Sequence, residues 1–442
     1  MDISPPITAT PGRAQPIDIT FENRGDRLIG LGLVNGILKI LTLGLYGFWG
    51  KTEVRRRIWS FTRLNGEPLT YTGTGKELFL GFLIAFCFFM LPILLGGVAV
   101  AMMFGANKAA IGAYQAFIYL VIFFLIGNAM YRAQRYRLSR TTWRGIRGAL
   151  IGSPQSYGWA YFWTLAAPFA AAALLGGAVW FVSPHLGVAV ASIGAIAGLW
   201  VFPWRANKLQ GLLTQDTRFG DRPLTYSGRS GPLYKRYFFA WAGSALLYAT
   251  ATGLTVGYLM STGLAERLKA NLPPTGKEIA MLIAIWVVAM LAIAMITAWY
   301  RANQMNHFAR HTHFENATFR LDAKGTGLMW LVLSNWLITT LGLVLGLIAG
   351  FAVIQVSGVM PNAVEGATNV KEHGVLPILM VALPVVLLTT VTSTFAQFRA
   401  TRYVMSRLHL DGPVDLDRVL QSQHQGPKRG EGLAQVFDID AF

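Results

Sequence analysis

The sequence has a single cysteine, few acidic residues and few charges of either sign. With only Cys87, an intramolecular disulfide is excluded, and its context, "FLIAFCFFMLP", is that of a small hydrophobe buried among others. Charged residues make up 13% of the 442 positions, where a soluble globular chain carries about a quarter. With 53% hydrophobic residues and a mean hydropathy of +0.44, the chain lacks the polar surface that water demands. Lipid as solvent accounts for the deficit. The charges present are lopsided, 38 Lys plus Arg against 21 Asp plus Glu. Such an excess points to anionic headgroups or nucleic acid, and the apolar runs favour headgroups.

Other absences narrow the field. Residues 1–27 lack the basic start, apolar core and cleavage site of a signal peptide, and their Pro- and Thr-rich composition predicts a mobile tail. No Walker loop, dinucleotide fingerprint, H-E-x-x-H or G-x-S-x-G occurs, so neither an enzyme nor a cofactor is expected. Acidic residues are nearly missing from the apolar runs, which argues against a proton-coupled pump and leaves room for a passive conduit.

Eight runs are long enough to span a bilayer: Leu78–Phe104, Ala109–Met130, Tyr157–Val182, Leu186–Trp204, Tyr237–Thr262, Ile279–Tyr300, Thr326–Ser357 and Val375–Phe398. Leu28–Trp49 is a ninth candidate, weakened by Asn35 and Lys39. The runs pair up. After Trp49, Met130, Trp204, Tyr300 and Phe398 the chain turns basic, while connections inside each pair are short or nearly charge-balanced. Positive charge at segment ends stays inside, so all five basic stretches are expected in the cytoplasm.

Those stretches resemble one another. "RLNGEPLTYTG" (Arg63–Gly73) returns as "RFGDRPLTYSG" (Arg218–Gly228). Ungapped alignment of the five places Thr62, Thr141, Thr217, Thr312 and Leu408 in one column, and Leu64, Trp143, Phe219, Phe314 and Leu410 in another. A duplicated unit of roughly 80 to 95 residues explains this. Asn65-Gly66 predicts a type I′ β-hairpin, and Pro68 and Pro223 suit a strand start or edge. An isolated hairpin is marginal in water, so several are expected to pack as one layer. The division is then 1–27, a mobile tail; 28–73, a lead-in segment with the first basic unit; 74–156, 157–232, 233–324 and 325–417, four further units; and 418–442, a polar tail whose "VFDIDAF" suits a docking peptide or a fold-back onto the basic layer.

"LVNGILKILTLGLYGFWGKTEVRRRIWSFTRLNGEPLTYTG" resembles the opening signature of the YjgN-like family of bacterial inner-membrane proteins, through Asn35, Thr42, Leu43, Gly44, Tyr46, Trp49, Arg55–Arg57, Leu64, Asn65 and Gly66. "SRTTWRGIRGALIGS" and "GEGLAQVFDIDAF" also look like it, and Lys39 departs from its expected apolar or small polar residue. The resemblance covers most of the chain and implies a location, not a mechanism.

Three groups of residues are candidates for a site. His307, His311 and His313 form H-x3-H-x-H, two of them on one helical face, as metal ligands or as a weakly basic surface. Asn35, Lys39 and Asn335 suit an intramembrane polar path, since a mid-membrane charge normally faces a bundle interior; alternatively Lys39 snorkels from a re-entrant, Gly-rich segment. Arg55, Arg56, Arg57, Arg132, Arg135, Arg140, Arg399 and Arg402 could hold anionic lipid or a cytoplasmic partner, though topology alone also requires cations there; a nucleic-acid role is not expected.

The sequence thus predicts an all-α polytopic inner-membrane protein with eight or nine transmembrane helices in hairpin pairs. Small cytoplasmic β-hairpins follow odd-numbered segments, and the C-terminus is cytoplasmic. Two functions fit: a conduit or transporter for lipid or another amphipathic solute, or a non-enzymatic scaffold using its basic layer.

Overall fold

A computed structural model describes residues 15–22, 25–105, 107–357, 376–416, 419–422 and 426–427. The helices are α1 (Asp26–Leu41), α2 (Gly47–Phe61), α3 (Gly75–Phe104, with one π-turn over Phe86–Met90), α4 (Lys108–Arg140), α5 (Pro154–Trp180), α6 (Pro184–Asp216), α7 (Gly231–Ser261), α8 (Leu264–Lys269), α9 (Gly276–Arg310), α10 (Gly325–Ser357) and α11 (Leu376–Met405). Among the described residues seven are long and apolar enough to cross a membrane: α3, α4, α5, α6, α9, α10 and α11. The protein is therefore a helical, polytopic membrane protein. α7 is as long, at 31 residues, but dotted with threonines. The hydroxyls of Thr250, Thr252, Thr255 and Thr262 donate to carbonyls four residues back, so that polarity is spent within the helix.

The sequence leaves Leu28–Trp49 open between a spanning and a re-entrant segment. Leu28–Trp49 is not one helix: the chain breaks after Leu41, where Leu43 and Gly44 take φ of +51° and +93°. The 16 residues of α1 reach about 24 Å at 1.5 Å per residue, short of the roughly 30 Å hydrocarbon core. α2 then returns, with Gly50 beside Asn35. Cys87 is exposed rather than buried, on the π-turn of α3, because the outside of this helix is itself apolar.

The all-α expectation is corrected more deeply. Among the described residues twelve strands are present: β1 (Gln15–Ile17), β2 (Ile19–Phe21), β3 (Thr62–Leu64), β4 (Glu67–Pro68), β5 (Thr70–Tyr71), β6 (Thr141–Trp143), β7 (Ile146–Leu150), β8 (Thr217–Phe219), β9 (Arg222–Tyr226), β10 (Thr312–Phe314), β11 (Ala317–Leu321) and β12 (Leu408–Val414). One antiparallel ladder runs β1-β12-β11-β10-β9-β8-β7-β6-β5, and a second runs β2-β3-β4. β1 continues into β2 across Asp18, and β4 into β5 across Leu69. The pairings therefore pass right round and close on themselves. Asp18 and Asn65 seal one junction by exchanging two hydrogen bonds, each 2.7–2.8 Å. The hairpins, expected to pack as one layer, thus fuse into one barrel-like ring. Closure leaves no open edge, which is how strands this short escape fraying and aggregation.

Residues 15–21, grouped with the tail by composition, supply two of these strands. Ile17, Ile19 and Phe21 alternate as a half-buried strand does, and Ile17 is 8% exposed. Because β2 pairs with β3, both ends of the α1–α2 hairpin lie at the ring, as do both ends of α3–α4, α5–α6, α7–α9 and α10–α11.

The repeat columns now have physical causes. Thr62, Thr141 and Thr217 sit where helix becomes strand. The hydroxyls of Thr141, Thr217 and Thr312 donate to the carbonyls of Arg137, Leu213 and Phe308, closing the last helical turn. Asn65-Gly66 and Arg144-Gly145 both have two positive φ angles in succession, as a type I′ turn requires. Further out in three of the units, a helix side chain holds the exit of the return strand: Arg56 to Gly73 O, Asn207 to Gly228 O and Asn306 to Ala323 O. Tyr226 also donates to Asn207, and burial pushes its phenol up to about 12.

Two units share one close packing. Gly75 lies against Trp49, and Gly325 against Trp299, where an added Cβ would come within 2.5 and 2.4 Å of the indole. Gly325→Val should therefore destabilise the protein by about 1–3 kcal/mol through overpacking. Thermal melting in detergent would show it, with Gly231→Val, where a Cβ meets open space, as the control.

Candidate functional site: the ring interior and its basic collar

The apolar repeat column lines one cavity. Leu64, Trp143, Phe219, Phe314 and Leu410 all face a space of about 240 Å³, joined by Ile17, Ile19, Leu69, Leu224 and Phe319 from the remaining strands. The lining is almost wholly apolar. Aromatic rings knit it together, with Phe219 6.2 Å from Trp143 and 6.1 Å from Phe314. Each such side chain fully buried is worth about 1.5–3 kcal/mol. The Trp143 side chain is only 3% exposed, and its Nε1 has no hydrogen-bond partner among the described residues.

The two ends of the ring differ. Strands leave the helices directly, so the turns mark the far end. There Leu416 enters the cavity wall and Val419 is 6% exposed. Asp221 donates its N–H to Leu420 O (3.0 Å) and accepts from Leu420 N at its carboxylate (2.9 Å). Gln421 donates to Gly145 O (2.7 Å), and Arg147 reaches Ser422 O (3.1 Å). The start of the C-terminal segment is thus a floor stitched to two turns. The "VFDIDAF" peptide lies outside the described residues.

The other end faces the helices. Their contacts follow a circular order, α1-α2-α3-α4-α5-α6-α7-α9-α10-α11 and back to α1, with only a minor extra contact between α2 and α11. Small residues allow close approach at several seams, as where Gly346 and Gly350 meet Val385 and Val381, and Gly32 and Gly36 meet Val391 and Leu387. Among the described residues no other pair of these long helices makes more than a minor contact.

The cations form a collar between ring and helices, in several roles. Arg57, Arg132 and Arg402 are exposed; Arg55 and Arg135 are half-buried; Arg56 is exposed but spends one N–H on Gly73 O. Arg140 pairs with Glu77, which also accepts from Tyr136 (2.7 Å) and belongs to the capping box of α3. Arg399 donates to Asn335 Oδ1 (2.9 Å) and Ser334 Oγ (2.7 Å), binding α10 to α11. On the ring's outer wall the cations meet acids, as Arg144 meets Glu67 (2.8 Å) and holds that carboxyl below its usual range.

The polar-path candidates are divided. Asn335 belongs to the Arg399 cluster and also donates to Ala396 O (3.3 Å). Asn35 lies against α2, 4% exposed, with neither amide atom partnered, and Lys39 is half-buried near Gly47. None of the three lines the cavity. The histidines are divided as well. His307 and His311 rings lie 4.3 Å apart, while His313 sits on a strand with its nitrogens engaged by Ser227 and Thr318 (2.9 Å each). Among the described residues no three His, Cys, Asp or Glu side chains form a cluster able to hold a metal. The ring interior was not singled out from sequence as a site, although its signal, the apolar column, was visible; the Trp143 donor carries no sequence signal of its own.

Membrane-length helix pairs above a strand ring built from their own extensions define a polytopic membrane protein with an extramembrane β-domain. The chain belongs to the family described as bacterial protein of unknown function (DUF898), whose model matches residues 16–436. It is similar to inner membrane protein YjgN of Salmonella typhimurium, at 32% identity over 75 residues, 17% of this chain and 19% of that one. It is likewise similar to YjgN of Escherichia coli strain K12, at 26% over 142 residues, 32% of this chain and 33% of that one. The matched stretches thus span a third or less of those relatives. No solved structure matches the chain.

Proposed function

We propose that the protein is a non-enzymatic inner-membrane conduit for lipid or another amphipathic solute. Its four long hairpins make eight crossings, α7 included, and α1–α2 dips in and returns. The basic collar, the ring and the described C-terminal residues lie in the cytoplasm, as positive charge at helix ends favours. The observation that carries the reading is the pairing of two rings: helices in contact in a closed circular order stand over a strand ring whose interior is apolar. A solute that is apolar at one end and polar at the other can use both.

Reconstitution tests this. Vesicles carrying the protein and a headgroup-labelled lipid should lose the protected, inner-leaflet fluorescence to an impermeant quencher, while protein-free vesicles keep it. Unchanged protection at several protein densities would overturn the proposal.

A second reading, a scaffold organising anionic lipid, is favoured by the exposed Arg57, Arg132 and Arg402. Each cation near an anionic surface is worth about 1 kcal/mol. Under that reading, replacing all three with Gln reduces co-purified anionic lipid without lipid movement ever being seen.

A further inference from the structure

We propose that the acidic, aromatic peptide at residues 436–440 is an internal ligand of the basic collar, docking its two aspartates on the cations where α2 stands beside α4. The inference goes beyond the conduit and scaffold readings and stands with either.

The seam is built by the first two units. Trp59, in the last turn of α2, donates its indole N–H to Thr141 Oγ1 (2.9 Å), just past the end of α4. Tyr71 braces this contact, its ring 5.8 Å from Trp59 and packed in one cluster with Tyr136. Residues four apart share a helical face. On α2, Arg55 and then Lys51 therefore continue the face that carries Trp59. On α4, Arg137 stands one turn before Thr141 and accepts the threonine hydroxyl at its carbonyl (2.9 Å). Arg140 adds a fourth cation. Of the acids at hand, Glu77 pairs with Arg140 and Tyr136, and Glu53 lies with Tyr46. A surface so weighted to one sign attracts an anion.

Three observations choose the occupant. The described C-terminal residues run back along the second unit, from Gly145 at its turn, held by Gln421, to the end of α4. There Gly426 lies against Ser139, and Arg140 donates to Pro427 O (3.3 Å). The chain is thus delivered to the seam. Beyond Arg429 every charged side chain in the sequence is acidic: Glu431, Asp438 and Asp440. The stretch from Lys428 to Asp438 can reach about 36 Å, while Arg55 and Arg137 lie about 6 Å along their helices from the Trp59–Thr141 contact. Spacing agrees as well. Phe437, Asp438, Ile439 and Asp440 alternate, so an extended peptide sets both aspartates on one face about 6.6 Å apart. Lys51 and Arg55 are separated by a rise of about 6 Å.

The test places a benzophenone amino acid at Phe437 of the full-length protein in lipid nanodiscs, irradiates it and maps the adducts by mass spectrometry. Adducts are expected on peptides of the same chain that carry Arg55 or Arg137. Mixing isotopically heavy and light protein separates these from links between copies. At an ionic strength that leaves half the chains cross-linked, Asp438→Asn with Asp440→Asn should cut the yield about tenfold or more, since a hydrogen bond between charged groups is worth that much. Arg55→Asp should lower it too, and adding Asp438→Arg should restore it, a recovery that damage to the fold does not give.

Adducts confined to lipid, to a second copy or to the ring interior would overturn the proposal. So would a yield indifferent to the loss of both aspartate charges. The two asparagine changes alter no described residue, so they decide the matter even where Arg55→Asp unfolds the seam.

Discussion

Replacing Phe314 with aspartate is expected to dismantle the strand ring while the helices stay in the membrane. Phe314 is 4% exposed and packs edge-on to Phe219 in the cluster that also holds Ile17, Ala317, Leu410, Val414 and Val419. Removing a buried phenylalanine costs about 3–5 kcal/mol, and a carboxylate in the same place adds a charge with no partner. Strands of three to five residues, such as β8 to β11, cannot hold their ladders without that core. Trypsin applied from the ring side should then cut at Arg218, Arg222 and Arg320, which the unaltered ring protects, whereas Phe314→Leu should remain resistant. Full protection in the aspartate variant would place Phe314 outside the core.

Ending the chain after Asp415 should open the far end of the ring. The truncation removes Leu416 and Val419 from the apolar cluster, together with the hydrogen bonds to Asp221, Gly145 and Arg147. Val419, 6% exposed, is worth about 1.5–3 kcal/mol, and the half-buried Leu416 adds to it. Since each 1.4 kcal/mol is about tenfold in an equilibrium, opening should rise by at least about one order of magnitude. The readout is a cysteine at Leu224, in a Cys87→Ala background, labelled by a charged maleimide. It should react slowly in the full chain and fast in the truncated one. Equal rates would mean that the segment does not close the cavity.

How much of this was legible in the sequence follows from the length of each signal. Runs of twenty apolar residues announce membrane helices by themselves, and the five basic stretches announced a repeated unit. The column Leu64, Trp143, Phe219, Phe314 and Leu410 was visible too, but a strand of three residues shows only that alternate positions share a face. It does not show whether five such faces meet. Closure depends on non-local pairing, and its last link, Gln15–Phe21, has only Ile17, Ile19 and Phe21 to mark it within a Pro- and Thr-rich tail. The break at Leu43-Gly44 was hidden for a different reason. Glycines at 30, 32, 36, 44 and 47 are equally suited to helix packing and to a turn, and here Gly32 and Gly36 pack on α11 while Gly44 turns the chain. The polar residues separated because helix spacing places Asn35 and Lys39 on one face but says nothing of which neighbour that face meets. Asn335 found Arg399 instead.

The central claim is that five units and the N-terminal strand close into one ring on one side of the helices. Paired cysteines in a Cys87→Ala background test it at the two joins that link the ladders, Thr20 with Arg63 and Thr70 with Thr142, with Thr225 and His313 as an internal reference. These residues face each other across antiparallel strands, within disulfide reach. Mild oxidation followed by peptide mass spectrometry should give all three cross-links in high yield, each within one chain. Formation of the reference link without either join would mean an open sheet, and the account of the cavity would fall with it.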